Sequence, residues 1–143
     1  MNIENLPLIK GRAKVPIIRL LPHEETNKAK VESLVDSIST GRLSHIPAVA
    51  VCADSWVIID GHHRTRALDL CGFEFIEVML IDYQSETILT SQSDDLISKD
   101  EIIQRAKMGQ LLPYKTTSHG IRCQDGQFLK LEAICSIVQI AHT

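Results

Sequence analysis

The run Val57-Ile58-Ile59-Asp60-Gly61-His62-His63-Arg64-Thr65-Arg66-Ala67-Leu68 constrains this chain more than any other stretch. A β-branched apolar segment stops at an acid and a glycine, and the residues after them open a helix. Such a strand–turn–helix unit belongs to α/β architectures, and the helix start it creates is an anion site. Free backbone N–H groups and the positive end of the helix dipole attract phosphate there. His62, His63, Arg64 and Arg66 add positive charge and hydrogen-bond donors at the same point. Successive helical side chains fan out by about 100°, so His62, His63 and Arg64 cannot share a face, yet they can ring a ligand seated over the helix end. Asp60 also reads as the N-cap of that helix, a role compatible with a phosphate site.

At 143 residues, 44% hydrophobic and 23% charged, the chain is expected to form one soluble domain, residues 1–143, with a real core. A net charge of −3 argues against a dedicated nucleic-acid binder, which usually carries a basic surface. Cys52, Cys71, Cys123 and Cys135 show no ligand-like spacing, so thiolate metal binding is not expected and the thiols are read as reduced. Neither a signal core nor a stretch of ~18 apolar residues stands out, and the expected location is cytoplasmic, with no membrane partner.

Along the chain, Val15 to Leu21 reads as a first strand ending at Pro22, followed by the loop Pro22-His23-Glu24-Glu25. From Thr26 the residues Val31, Leu34, Val35 and Ile38 recur at helical spacing to about Thr40, with Gly41 as C-cap. Pro47–Val51 and Trp56–Asp60 read as strands joined by an Ala53-Asp54-Ser55 turn. The motif helix runs to about Leu70, packs through Ala67, Leu68 and Cys71, and stops at Gly72. Glu74 to Tyr83 reads as another strand, with Phe75, Val78, Leu80 and Ile81 inward. Ser85 to Ser98 lacks periodicity and is assigned to the surface. Ser98 and Glu101 form a capping-box pattern opening a helix through Ile102, Ile103 and Ala106 to Gly109. Pro113 to Gly120 is a second anion-friendly segment, a loop. The apolar spacing Leu131, Ile134, Ile137 or Val138, and Ala141 predicts a C-terminal helix over 127–141.

From the residues alone, Glu24 and Glu25 are two solvated acids ahead of a helix. Lys115, Thr116, Thr117 and His119 are equally consistent with a plain polar loop.

The Asp60-Gly61-His62-His63-Arg64 turn and the helix after it resemble the ParB/sulfiredoxin superfamily, whose phosphate motif is Gly-x-x-Arg. Three blocks together look like its free serine kinases: Leu21-Pro22-His23-Glu24, the motif itself, and Lys115-Thr116-Thr117-Ser118-His119, with Ile81-Asp82-Tyr83 between them. The resemblance covers about residues 15–121. It implies an α/β (α+β) fold, a small mixed sheet flanked by helices. It also implies transfer of phosphate from ADP or ATP to free L-serine, giving O-phosphoserine. Glu24 would be the general base. Asp60, Gly61, His62, His63 and Arg64 would hold the phosphates, and Lys115, Thr116, Thr117 and His119 the amino acid. Mg2+ is the expected companion of the nucleotide, bridging its phosphate oxygens. The chain departs from the kinases in crossing residues 84–98 without their insertion, in lacking an aromatic shortly after Asp82-Tyr83, and in carrying Ser118 where a basic residue is common. A sulfiredoxin-type reductase would need a cysteine where His62 stands. A ParB-like CTP-binding, DNA-associated module is the more serious alternative, since it shares the phosphate motif; it would normally continue into a helix-turn-helix and a dimerisation region, so DNA is not the expected partner. A nucleotide-sensing module without transfer is the third alternative.

Overall fold

The computed structural model describes residues 8–91, 97–114 and 117–140. Its centre is a four-stranded mixed sheet in the order β1-β5-β3-β4. β1 (Ile9–Pro16) runs antiparallel to β5 (Phe75–Ile81), β5 runs parallel to β3 (Val49–Cys52), and β3 forms an antiparallel hairpin with β4 (Ile58–Asp60). Helices α1 (Lys28–Ser39) and α2 (His62–Leu70) pack against one another beside it, as expected for a small mixed sheet flanked by helices. β5 and β3 lie inside the sheet and their side chains are nearly all apolar; Val49, Ala50, Val51, Val78, Met79 and Ile81 are fully buried.

A second sheet joins β6 (Ile88–Ser91), β7 (Ser118–Arg122) and β8 (Phe128–Lys130), and a short ribbon pairs β2 (His45–Pro47) with β9 (Ile137–Gln139). Helix α3 (Lys99–Met108) begins at Ser98, whose hydroxyl accepts the Glu101 N–H, and ends at Gly109 in the left-handed region, as its capping residues predict.

Several expected elements are placed differently. The first strand is not Val15–Leu21 but Ile9–Pro16, and Ile17–Arg19 forms a single 3-10 turn that leaves Ile18 94% exposed. The apolar run lacks alternation, whereas Lys10, Arg12 and Lys14 alternate with inward Gly11, Ala13 and Val15, a charged guard on an edge strand. Helix α1 starts two residues later than Thr26, because the Asn27 side chain caps it by accepting the Lys30 N–H. The Pro47–Val51 run is divided between β2 and β3. In β5 the inward residues are Ile76, Val78, Met79 and Ile81; Phe75 is exposed and Leu80 half-buried. The aperiodic Ser85–Ser98 stretch contains β6, and Ser118–Gly120 belong to β7 rather than a loop.

The predicted C-terminal helix is absent. Residues 128–139 form β8, a 3-10 turn at Leu131–Ile134 and β9, and Ala141 lies outside the described residues. Leu131, Ile134 and Val138 are buried as their spacing implied. The three-residue interval is met by a 3-10 turn, and the β-branched Ile137 and Val138 pair with β2, a partner that no local period reveals. All four cysteines are unpaired, and Cys52 and Cys135 lie in the core. Among the described residues no helix is long and apolar enough to cross a membrane.

Candidate active site

The hinge of the site is Gly61, between β4 and α2. It occupies the N-cap position with φ 113°, and a Cβ there would stand 3.0 Å from both Val49 Cγ2 and Arg64 Nη2. Only glycine allows that turn and leaves room for the guanidinium folded over it. Asp60 is therefore not the N-cap. Its carboxylate accepts from Arg64 Nη2 at 3.1 Å, one helical turn along. Arg64, 13% exposed, is further held by the Ala48 carbonyl (3.3 Å) and Glu132 (3.4 Å), while its buried Nε–H has no partner among the described residues.

The loop that carries Glu24 is bound to this turn from both sides. Leu21 bridges to Val57 in parallel, and Glu24 bridges to Leu112. His62 Nε2 accepts the His23 N–H at 3.1 Å, and His63 Nε2 accepts the Asn27 N–H at 2.9 Å. The two motif imidazoles thus clasp the acid loop, one on either side of Glu24. This corrects the charge assigned to them from sequence. Burial holds His62 well below the usual histidine range, with neighbouring His23, His119, His63 and Arg64 acting in the same direction. Burial, then Lys30 and Arg64, lowers His63. Both rings are neutral at pH 7 with the proton on Nδ1, and the positive charge at the helix start resides on Arg64.

The third block meets the same place. The Thr117 N–H donates to Glu24 Oε1 at 3.0 Å, and the Thr117 hydroxyl lies 3.0 Å from His23 Nε2. His119 is buried and shares a 2.8 Å hydrogen bond with the Tyr83 hydroxyl; desolvation, with His23 and Lys99 nearby, pushes its pKa down to about 3. A cavity of about 460 Å³ is lined by Glu24 from the first block, by Asp60 to Arg64 from the second, and by Thr117, Ser118 and His119 from the third. Lys115 and Thr116 lie outside the described residues. A second cavity, of about 580 Å³ and largely apolar, shares Glu24 and His62 with the first and contains Arg66 rather than Arg64.

Residues that sequence reasoning did not select also face the first cavity: Lys30 from α1, and Lys130 and Glu132 from the C-terminal segment. The Lys30 ammonium lies 5.1 Å from the Tyr114 ring centroid, and that ring meets His63 edge-on at 5.2 Å. His23 was overlooked although it directly precedes Glu24; nothing local marks a histidine as buried. Ligand atoms of His23, Glu24 and His62 lie within 4.8 Å of one another. They do not fit a resident metal, since the acceptor nitrogen of each ring is already engaged, His62 Nε2 by the His23 N–H and His23 Nε2 by the Thr117 hydroxyl at 3.0 Å, while His23 Nδ1 donates to the Ile58 carbonyl at 2.8 Å.

Residues 13–94, more than half of the chain, match the family model described as the ParB N-terminal domain. The chain belongs to that family. Over 77 residues it is similar to the ATP-dependent L-serine kinases of Staphylothermus marinus (27% identical) and Desulfurococcus mucosus (31% identical). The matched stretch is 52% of this chain, but only 31% and 30% of those relatives' lengths. Among solved structures the ParB-family chain resembles a free serine kinase in complex with AMP, with a TM-score of 0.68 at 13% identity, covering 91% of this chain and 97% of that one. It also resembles SbnI with a C-terminal truncation from Staphylococcus aureus, with a TM-score of 0.60 at 14% identity, covering 87% and 89%. At these identities the likeness establishes the fold.

Proposed function

We propose that this chain transfers a phosphoryl group from ATP to the hydroxyl of free L-serine. The observation that carries this reading is the convergence of a carboxylate, Glu24, with the α2 N-terminus and Arg64 in one cavity. Phosphoryl transfer asks little covalent help of a protein; it needs in-line positioning and charge neutralisation around the transferring group. Here the first-turn N–H groups of α2, Arg64 and Lys30 supply donors and charge on one side. Glu24 lines the same cavity and takes the proton as the serine oxygen attacks phosphorus and the bond to the leaving nucleotide breaks. Lys115, Thr116, Thr117 and His119 hold the amino acid, with neutral His119 oriented by Tyr83. Where Mg2+ accompanies the nucleotide, it would neutralise charge on the phosphates beside Arg64 and Lys30. The names of the relatives, ATP-dependent L-serine kinases, favour ATP over ADP as donor.

The test is direct. Wild-type protein incubated with L-serine, Mg2+ and either ATP or ADP is followed by 31P NMR, and O-phosphoserine is expected with ATP. Nucleotide binding without transfer to any amino acid overturns the kinase reading and leaves a ParB-like nucleotide-binding module.

Nucleotide affinity separates the two motif arginines. Arg66 is exposed, pairs with Asp69 at 3.3 Å, and does not line the first cavity. Arg64→Ala is expected to weaken ATP binding by tenfold or more by calorimetry, since a charge-assisted hydrogen bond contributes about 1.5–3 kcal/mol. Arg66→Ala changes it less than twofold. Equal losses would place the phosphates elsewhere.

A further inference from the structure

We infer that His23 is the positioning residue that aims the Glu24 carboxylate, acting through Thr117. This rests on the kinase reading for its catalytic meaning and on geometry for everything else. His23 is 0% exposed and makes four hydrogen bonds that tie three distant segments together. Its Nδ1 faces the Ile58 carbonyl at 2.8 Å and must carry the proton. Burial outweighs that hydrogen bond and lowers the ring's pKa to about 4, so the ring is neutral and Nε2 is an acceptor, taking the Thr117 hydroxyl at 3.0 Å. The backbone of the same residue donates to His62 Nε2 and accepts the Leu112 N–H at 2.8 Å. Thr117, with its hydroxyl fixed in this way, turns its own N–H onto Glu24 Oε1 at 3.0 Å.

One carboxylate oxygen is thereby held by a main-chain donor whose place is set by a buried imidazole on the preceding residue. The arrangement is closed: His23 and Glu24 are chain neighbours, and Thr117 returns from 94 positions away to bond both. A flexible acid at a loop would sample many rotamers; this one is restrained, and the cavity side of the carboxylate is presented to an acceptor hydroxyl. Lys30, Asp60, His62, Arg64, Lys130 and Glu132 line the same cavity and set the field around it, and the Thr117 N–H holds Oε1 of Glu24 within it.

His23→Asn keeps a donor near the Ile58 carbonyl and removes the acceptor for Thr117; Thr117→Val cuts the same link from the other end while keeping the N–H. Each is expected to lower kcat about tenfold with the ATP dissociation constant unchanged within twofold, and the double variant to be no worse than either single one. Thr117→Ser, which retains the hydroxyl, restores most of the loss. Additive losses, or a loss confined to KM, overturn the inference. The same arrangement is read without turnover from the 15N–1H shift of the Thr117 amide through the titration of Glu24. That shift follows the carboxylate in wild type and not in His23→Asn. An undiminished response in His23→Asn overturns the positioning role whatever the chain phosphorylates. Absence of phosphoserine beside a response that His23→Asn abolishes sinks the kinase reading alone and supports the positioning role.

Discussion

Glu24→Gln is expected to reduce phosphoserine formation by about 10²–10⁴, the range over which a positioned general base accelerates proton transfer, while ATP still binds within about twofold. The substitution is close to isosteric. The amide oxygen of glutamine can go on accepting the Thr117 N–H that Glu24 Oε1 accepts at 3.0 Å, so the loop keeps its anchor. The backbone bonds on either side of the residue, Glu25 N–H to the Leu112 carbonyl and Leu112 N–H to the His23 carbonyl, both at 2.8 Å, do not involve the side chain. What is lost is the ability to take a proton. The nucleotide phosphates are assigned to the α2 N-terminus, Arg64 and Lys30 rather than to Glu24, so calorimetric affinity and turnover separate. Residual turnover near the wild-type level shows that Glu24 is not the base; a loss of ATP affinity parallel to the loss of turnover shows that Glu24 holds the nucleotide instead.

That separation depends on a site of which one half was legible in the sequence. The β-branched run ending at Asp60-Gly61 and the helix after it form β4 and α2 as their pattern requires, because the turn residue and the periodicities agree on one local structure. Ser98, Glu101 and Gly109 bound α3 for the same reason. The other half is tertiary. Glu24 reaches the cavity because Leu21 pairs with Val57 and Leu112 with Glu24, pairings between short extended segments that carry no period of their own. The resemblance to the serine kinases supplied Glu24 where its local sequence read as solvent-exposed acid.

Charge was misread for a related reason. Two histidines beside an arginine at a helix start suggest a cationic turn, and for exposed rings that would hold. His62 and His63 instead accept backbone N–H groups of the acid loop, which fixes their tautomer and removes their charge. Lys130 and Glu132 enter the cavity from a segment whose spacing resembled a helix, so their position followed from a structure that does not form.

The neutral histidines carry the second large prediction, the loss of stability in mild acid. Desolvation comes first among the causes for each: His23 is pushed down to about 4, His119 to about 3, and His62 well below its ordinary value of 6.5. Between pH 6.5 and those values the unfolded chain binds protons that the folded chain refuses, so stability rises with pH across that window. The contribution is therefore fully present above pH 6.5 and is lost as pH falls from 6.5 toward 4 and 3. Each pH unit costs about 1.4 kcal/mol per group, roughly 2 kcal/mol per histidine at pH 5. For His23 and His119 that is a substantial share of the stability of an ordinary domain, about 5–15 kcal/mol, and His62 acts in the same direction. Urea unfolding is expected to give a flat stability between pH 7 and 8 and a steep fall below 6.5. In the folded protein the 13C shifts of these three rings stay at their neutral values from pH 8 to 5.5. A ring among them that titrates near 6.5, or a urea midpoint at pH 5 close to that at pH 8, contradicts the buried neutral cluster. Because His23, His62 and His119 neither release nor take up a proton between pH 6 and 8, none of these three rings is expected to appear as a titration in the phosphoryl-transfer rate over that range.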